Sequence, residues 1–295
     1  MSQMTGRIIK TYNGYYYVLG RDGITYTCKV KGRMKKNRFV LAAGDFVGME
    51  TDGEEGMIDT IEPRKNLLQR PLVANLDRLM AVFACSNPDP SFLLMDKLLA
   101  LAECAGIPAA LVLNKRDLAS EGFIETVRSI YEPLGIPVFA VEAKKGLGLD
   151  PIRRCISRAT VVFGGPSGVG KSTLLNHLDP SLTLKTGLVS NKIGRGRHTT
   201  RFAQLLPYEG GFIVDTPGFG NIDLSELEMP SAGAGFREFL PFAGNCRFTG
   251  CTHTHEPDCA VKEALAEGKI ARSRYDSYIA IRLELANQKK RGKRV

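Results

Sequence analysis

No stretch of this 295-residue chain approaches the ~18 consecutive apolar residues that a membrane-spanning helix requires. Its first residues lack the basic start and apolar run of a signal peptide. Neither a membrane-embedded nor a secreted protein is expected. Internal repeats and low-complexity linkers are also missing. Acidic residues are in short supply: 31 Asp and Glu face 40 Lys and Arg, a net charge of +9. That balance favours a polyanionic partner, nucleic acid or an anionic lipid surface. What remains is ordinary for a globular chain: at 43% hydrophobic and 24% charged, it has enough apolar side chains for a sizeable core, which rules out a largely disordered chain. Its length suggests about two to three domains. The seven cysteines are an odd number, and Cys246, Cys251 and Cys259 fall within fourteen residues. Without an export signal, such clustering points to metal before disulfide.

Residues 1–68 read as short strands with turns. Gly14 to Leu19 is aromatic and β-branched, Arg21-Asp22-Gly23 is a turn, and Ile24 to Val30 alternates like a half-buried strand. Phe39-Val40-Leu41, Phe46 to Met49 and Gly56 to Ile61 follow. About five short strands in so few residues predict a small barrel, with the OB-fold leading. Lys29, Lys31, Arg33, Lys35, Lys36 and Arg38 supply charge, and Tyr15, Tyr16, Tyr17 and Tyr26 supply stacking faces. This fits RNA or single-strand binding. The alternative is that the tyrosines fill the barrel core and the lysines a solvated loop.

Residues 69–225 alternate apolar runs with helical patterns, the mark of an α/β unit with a mostly parallel sheet. Strands are expected at 79–84, 109–113, 138–141, 161–163 and 211–214. Helices are expected after a Ser91 cap, over Phe123 to Ile130, and over Pro151 to Arg158. Residues 226–295 hold the cysteine cluster and helices at 260–266 and 271–290. They end in a basic tail, Lys289 to Arg294, which is either solvated or phosphate-binding.

Gly165-Pro166-Ser167-Gly168-Val169-Gly170-Lys171-Ser172 matches the P-loop pattern, between a strand and a helix beginning near Thr173. Its glycines let backbone N–H groups turn in on phosphates. Lys171 would reach the β- and γ-phosphates and Ser172 would hold Mg²⁺. Asp215-Thr216-Pro217-Gly218 follows 43 residues after Ser172, at a strand end. Asp215 would bind Mg²⁺ through water and the Gly218 N–H would sense the γ-phosphate.

Asn114-Lys115-Arg116-Asp117 is the N-K-x-D signature of guanine recognition. Guanine offers N1–H and N2–H₂ as adjacent donors to one carboxylate. Adenine lacks that pair and would leave Asp117 unsatisfied. Lys115 would lie over the base plane. Glu142-Ala143-Lys144 resembles the S-A-K element, with the Ala143 N–H meeting guanine O6, although Glu142 stands where Ser is usual. These base motifs precede the P-loop, the reverse of the common order, which predicts a circular permutation. Its γ-phosphate segments would then lead directly into the C-terminal module.

In Gly196 to Arg201 a switch threonine should close over Mg²⁺: Thr200, with Thr199 the alternative. Phe219 follows Gly218 where many GTPases carry a water-orienting Gln. His198 is the local candidate to replace it, the alternative being an exposed loop histidine. Finally, Cys246-x4-Cys251-x-His253-x5-Cys259 supplies three thiolates and an imidazole, a closed structural zinc set, with His255 a competing imidazole. A redox cluster or catalytic metal is the lesser alternative.

Together these residues resemble the RsgA (YjeQ/YloQ) family of circularly permuted GTPases of small ribosomal subunit biogenesis. The resemblance rests on G-P-S-G-V-G-K-S, G-R-H-T-T, D-T-P-G-F, the zinc pattern and the linker Pro63-Arg64-Lys65-Asn66-Leu67-Leu68, and spans nearly the whole chain. It implies an OB-fold barrel, a permuted P-loop GTPase domain and a mainly α zinc module. It further implies a cytoplasmic enzyme that binds the small (30S) subunit and its 16S rRNA late in assembly. GTP would be hydrolysed to GDP and phosphate with stimulation by the subunit, and His198 would take the place of the missing Gln. Nothing demands a dimer. Two competing readings are an RNA-binding protein whose nucleotide site is merely structural, and a P-loop kinase or ATPase, against which Asp117 argues.

Overall fold

In a computed structural model, described here for residues 2–32, 40–180, 203–215 and 233–292, the chain forms two compact units. One comprises residues 1–78, 154–162 and 179–219; the other, 79–153, 163–178 and 220–295.

The first unit is built on a closed barrel. Strands β1 (Ser2–Tyr12), β2 (Tyr15–Gly20), β3 (Thr25–Val30), β4 (Phe46–Asp52) and β5 (Glu55–Ile61) pair in the order β1-β2-β3-β5-β4, and β4 returns to β1. Only the β3–β5 pair is parallel. Closure leaves no free edge, as expected for an OB-like barrel. Ile8, Val18, Tyr26, Cys28, Leu41, Val47, Met49 and Ile58 fill it.

Two details differ from the sequence expectation. β1 is the longest strand of the barrel, yet its polar composition gives it no strand signal. Gly6 and Ile8 are its only buried residues. It is a strand because β4 and β2 share it, pairing with residues 2–7 and 6–12. Conversely, Val40 and Leu41 belong to no strand, and Phe39 lies outside the described residues. Side chains take the hydrogen bonds a ladder would have used: Arg64 donates to Val40 O at 2.6 Å and to the buried Asp45 carboxylate at 2.7 Å, which in turn accepts from Ala42 N.

Short strands β6 (Leu67–Leu68) and β7 (Val73–Ala74) pair beside the barrel. The unit is completed by the start of β11 (Thr160–Gly164) and the hairpin β12 (Gln204–Tyr208)–β13 (Gly211–Asp215); β13 lies parallel to β11, and Lys10 of β1 registers with Gln204 of β12. Arg7 fastens barrel to hairpin. It donates to Thr160 Oγ1 (2.7 Å), Asn75 O and Gly44 O, and its guanidinium lies 4.9 Å from the Phe46 ring and 5.2 Å from that of Phe212.

In the second unit, β8 (Arg78–Ala84), β9 (Ala109–Asn114) and β10 (Val138–Ala140) run parallel in the order β8-β9-β10. Helix α1 (Phe92–Cys104) follows β8, capped by Ser91 Oγ accepting from Leu94 N. Helix α2 (Phe123–Tyr131) joins β9 to β10, α3 (Asp150–Ile156) leads toward β11, and α4 (Lys171–Leu178) follows it. The C-terminal part of this unit carries the single turn α5 (Leu240–Ala243), then α6 (Ala260–Ala266) and the long α7 (Arg272–Gly292). Phe236, Phe239, Val261, Ile270, Tyr275, Tyr278 and Ile281 form its core against Ala100 of α1.

One ionic cluster sits at this packing. Arg274, 2% exposed, donates to Asp96 Oδ1 (2.7 Å) and to both Glu238 oxygens (2.6 and 3.1 Å). Tyr131 also donates to Asp96 Oδ1, and the guanidinium lies 4.5 Å from the Phe236 ring. Burial pushes the Asp96 carboxyl up, against the pull of Arg274 and its hydrogen bonds. Sequence reading missed this cluster, because one Arg in a polar helical repeat looks like a solvated residue.

Candidate functional site

Three loops at the C-terminal ends of strands meet within the second unit. Such crevices are where open α/β sheets bind ligands. The loop from Gly165 to Gly170 turns between β11 and α4. Gly165 adopts φ +143°, and a Cβ there would stand 2.0 Å from Val82 O. Gly170, at φ +92°, would place one 2.3 Å from Asn114 Nδ2. Only glycine fits these two positions. Lys171 opens α4 and reaches back, its Nζ donating to the carbonyls of Gly165 and Pro166 at 2.7 Å each. Burial lowers its pKa. Ser172 and Thr173 follow in the first turn, partly buried.

The N-K-x-D segment continues β9. Asn114 is buried and ties all three loops together. Its Nδ2 donates to Val169 O (2.8 Å), and its Oδ1 accepts from Lys115 N (2.8 Å) and Ala143 N (2.9 Å). Lys115, at φ +56°, sends its Nζ to Gly168 O at 2.9 Å and to Asn87 O. Asp117 is exposed in the short 3₁₀ turn Arg116–Leu118. Ala143 begins the next turn and Lys144 is exposed within it. The Ala143 N–H already has Asn114 Oδ1 as acceptor, so a guanine O6 would have to share it. Glu142 is nearly buried and pairs with Lys145 Nζ at 2.6 Å.

Asp215 ends β13, half-buried, in the first unit. Val214 registers with Val162 in parallel, so β13 and β11 leave the sheet in the same direction. Burial raises the Asp215 carboxyl above the ordinary aspartate range. A desolvated carboxyl of this kind suits a hard divalent cation. His198, Thr199, Thr200 and Gly218, together with the four basic residues Arg33 to Arg38, lie outside the described residues.

Cys246, Cys251, His253 and Cys259 converge, with their ligand atoms all within 4.8 Å of one another. Cys246 Sγ lies 3.5 Å from His253 Nδ1 and 3.9 Å from Cys259 Sγ, and Cys259 Sγ lies 3.4 Å from His253 Nδ1. A tetrahedron with Zn–S bonds of about 2.3 Å has sulfur–sulfur edges of about 3.8 Å, so the set fits zinc. Sequence reading missed what frames it. Tyr275 of α7 donates to His253 O (2.6 Å) and Tyr278 to Thr252 O (2.7 Å), while Glu256 accepts from Thr252 N and Thr254 N. His253 itself is held at φ +56°.

The structure also sorts the barrel tyrosines. Tyr26 is buried with its hydroxyl on Asp22, and Tyr16 packs against the core. Lys10 and Tyr12 on β1, Tyr15 and Tyr17 on β2, and Lys29 on β3 form an outward row. Lys10 Nζ stands 5.9 and 5.7 Å from the Tyr12 and Tyr17 rings, and Lys29 Nζ 5.2 Å from Tyr15.

Comparison with known proteins agrees with this architecture. The family profile of the RsgA GTPase matches residues 61–225 and that of the RsgA N-terminal domain residues 5–58. A small ribosomal subunit biogenesis GTPase RsgA from Agathobacter rectalis is 40% identical over 97% of this chain and 100% of its own length. One of the same name from Alkaliphilus metalliredigens is 42% identical over 93% and 95%. Among solved structures, YjeQ from Thermotoga maritima matches with TM-score 0.80 and 33% identity, over 97% of this chain and 99% of that one. YloQ, described as a circularly permuted GTPase, matches with TM-score 0.80 and 31% identity over 97% and 96%.

Proposed function

The chain belongs to the RsgA GTPase family, and on that premise we propose that it hydrolyses GTP to GDP and phosphate on the small ribosomal subunit, assisting late maturation and being stimulated by the subunit. The observation that carries this reading is the Asn114 side chain. It joins the N-K-x-D segment to the P-loop and to the Ala143 turn by one hydrogen bond each, with a third holding Lys115 N inside the segment, and this supports base recognition and phosphate binding as one site.

Asp117 would accept the two guanine donors and Lys115 would cover the base. Backbone N–H groups of the loop from Gly165 to Gly170, Pro166 excepted, and of the start of α4 would hold the phosphates. Lys171 would exchange the Gly165 and Pro166 carbonyls for phosphate oxygens, a stronger acceptor for a half-buried ammonium. Mg²⁺, arriving with the nucleotide, would take Ser172 and Thr200 as its protein ligands, with Asp215 reaching it through water, and would neutralise charge developing on the β- and γ-phosphates. His198 would orient the attacking water, where Phe219 cannot.

The cysteine–histidine set would hold one structural zinc. The Lys10, Tyr12, Tyr15, Tyr17 and Lys29 row would meet 16S rRNA, cations on phosphate and rings on unstacked bases. The test is GTP turnover by the full chain with and without small subunits. The expected result is stimulation that is absent with ATP or with large subunits. Slow turnover unchanged by small subunits overturns the ribosomal reading and leaves the nucleotide site standing.

A further inference from the structure

The loop after β8, residues 85–90, matches none of the nucleotide-binding motifs, yet it is attached to two of them. Cys85 N donates to Asn114 O at 2.8 Å. Pro88 Cδ stands 3.7 Å from where a Cβ on Gly168 would be. Asn87 O accepts from Lys115 Nζ, which also donates to Gly168 O. Asn87 reaches this position with φ +49°, the left-handed region that Asn and Gly tolerate and β-branched residues avoid.

Lysine has four freely rotating methylenes and costs up to ~2 kcal/mol in rotamer freedom to fix. Here both ends of the side chain are pinned. The backbone is held by the Asn114 side chain and by its own left-handed turn, and the ammonium by two carbonyls from different loops. A stem held so is a ready-made apolar strip.

We propose that Asn87 is a positioning residue for guanine-nucleotide binding, its left-handed backbone aiming a carbonyl at the Lys115 ammonium so that the lysine stem is fixed across the base site before nucleotide arrives. The inference rests on the guanine reading of the N-K-x-D segment. On this proposal Asn87 acts only through the Lys115 stem, so its effect belongs to binding and not to the chemical step.

The test is GDP affinity by calorimetry on the full chain, together with GTP kinetics. Asn87→Val should lower GDP affinity about tenfold and raise KM for GTP in step, with kcat at saturation within about twofold of wild type. Asn87→Gly, which accepts the same φ, should hold affinity within about threefold. In a Lys115→Ala background, Asn87→Val should cost nothing further, because the partner is gone. Should the Val variant fail to fold, Asn87→Ala gives the same ordering at smaller amplitude. Undiminished affinity in the Val and Ala variants, a fall in kcat alone, or an equal loss with and without Lys115 overturns the proposal. Wild-type protein that binds ADP as well as GDP overturns the guanine reading itself, and this inference with it.

Discussion

At the scale of single residues, Asp117 and Asp215 carry opposite expectations. Asp117 is exposed, and in the proposed function it would work by hydrogen-bond complementarity. Asp117→Asn should move preference from guanine toward xanthine nucleotides by several orders of magnitude, since the amide now donates where guanine also donates. Competition binding with GDP and XDP reads this, and unchanged GDP preference refutes the assignment. Burial disfavours the charged form of Asp215. Its folded pKa is raised above the unfolded value, so the protonated form favours folding below the ordinary aspartate range, and that contribution is lost as pH rises through the folded pKa. Asp215→Asn should therefore be at least as stable as wild type near pH 7 and lose the component of stability that falls with rising pH. Urea midpoints from acid to neutral pH check this, and a less stable Asn variant at pH 7 contradicts it.

At the scale of elements, α7 is held to α1 by more than apolar packing. Arg274 pairs with two carboxylates from different segments, and Lys97 of α1 pairs with Glu284 of α7 at 2.5 Å. Removing the guanidinium leaves Asp96 and Glu238 buried and unpaired, so Arg274→Ala should cost about 3–5 kcal/mol in a chemical-denaturation measurement. Ser91→Ala at the α1 cap should cost only about 1 kcal/mol. Comparable losses in the two variants would mean the cluster is solvated and weak. The elements themselves were largely readable. Helix 260–266 is short but apolar on its buried positions, and the strands at 79–84, 109–113, 161–163 and 211–214 follow from apolar runs, because strands inside a mostly parallel sheet are buried on both faces. β1 and β12 were not readable: β1 is polar on most positions, and β12, with Pro207, is a strand only because β13 and Lys10 of β1 lie beside it.

For the whole molecule, the C-terminal part should depend on its metal. The ligand loop from Cys246 to Cys259 contains no regular element beyond its end at α6, and the hydroxyls of Tyr275 and Tyr278 are bonded to its backbone. Stripping zinc with a chelator should release that loop, lower the thermal midpoint and flatten the near-ultraviolet tyrosine dichroism. Added zinc should restore both. Protein that purifies without metal and melts identically with and without chelator would remove the zinc assignment.

By itself, the sequence determined the family of this protein and the chemistry proposed for it. The P-loop, N-K-R-D, D-T-P-G and Cys₃His patterns are local, since each needs particular residue types at particular short spacings, and their order along the chain announces the permutation. Only the tertiary structure decided how those pieces support one another. Asn114 as the knot of three loops, Asn87 behind Lys115, Arg7 between barrel and hairpin, and Arg274 between two carboxylates are all contacts between residues far apart in the chain. No spacing rule reaches them, because a polar side chain takes its meaning from the partners that folding brings to it.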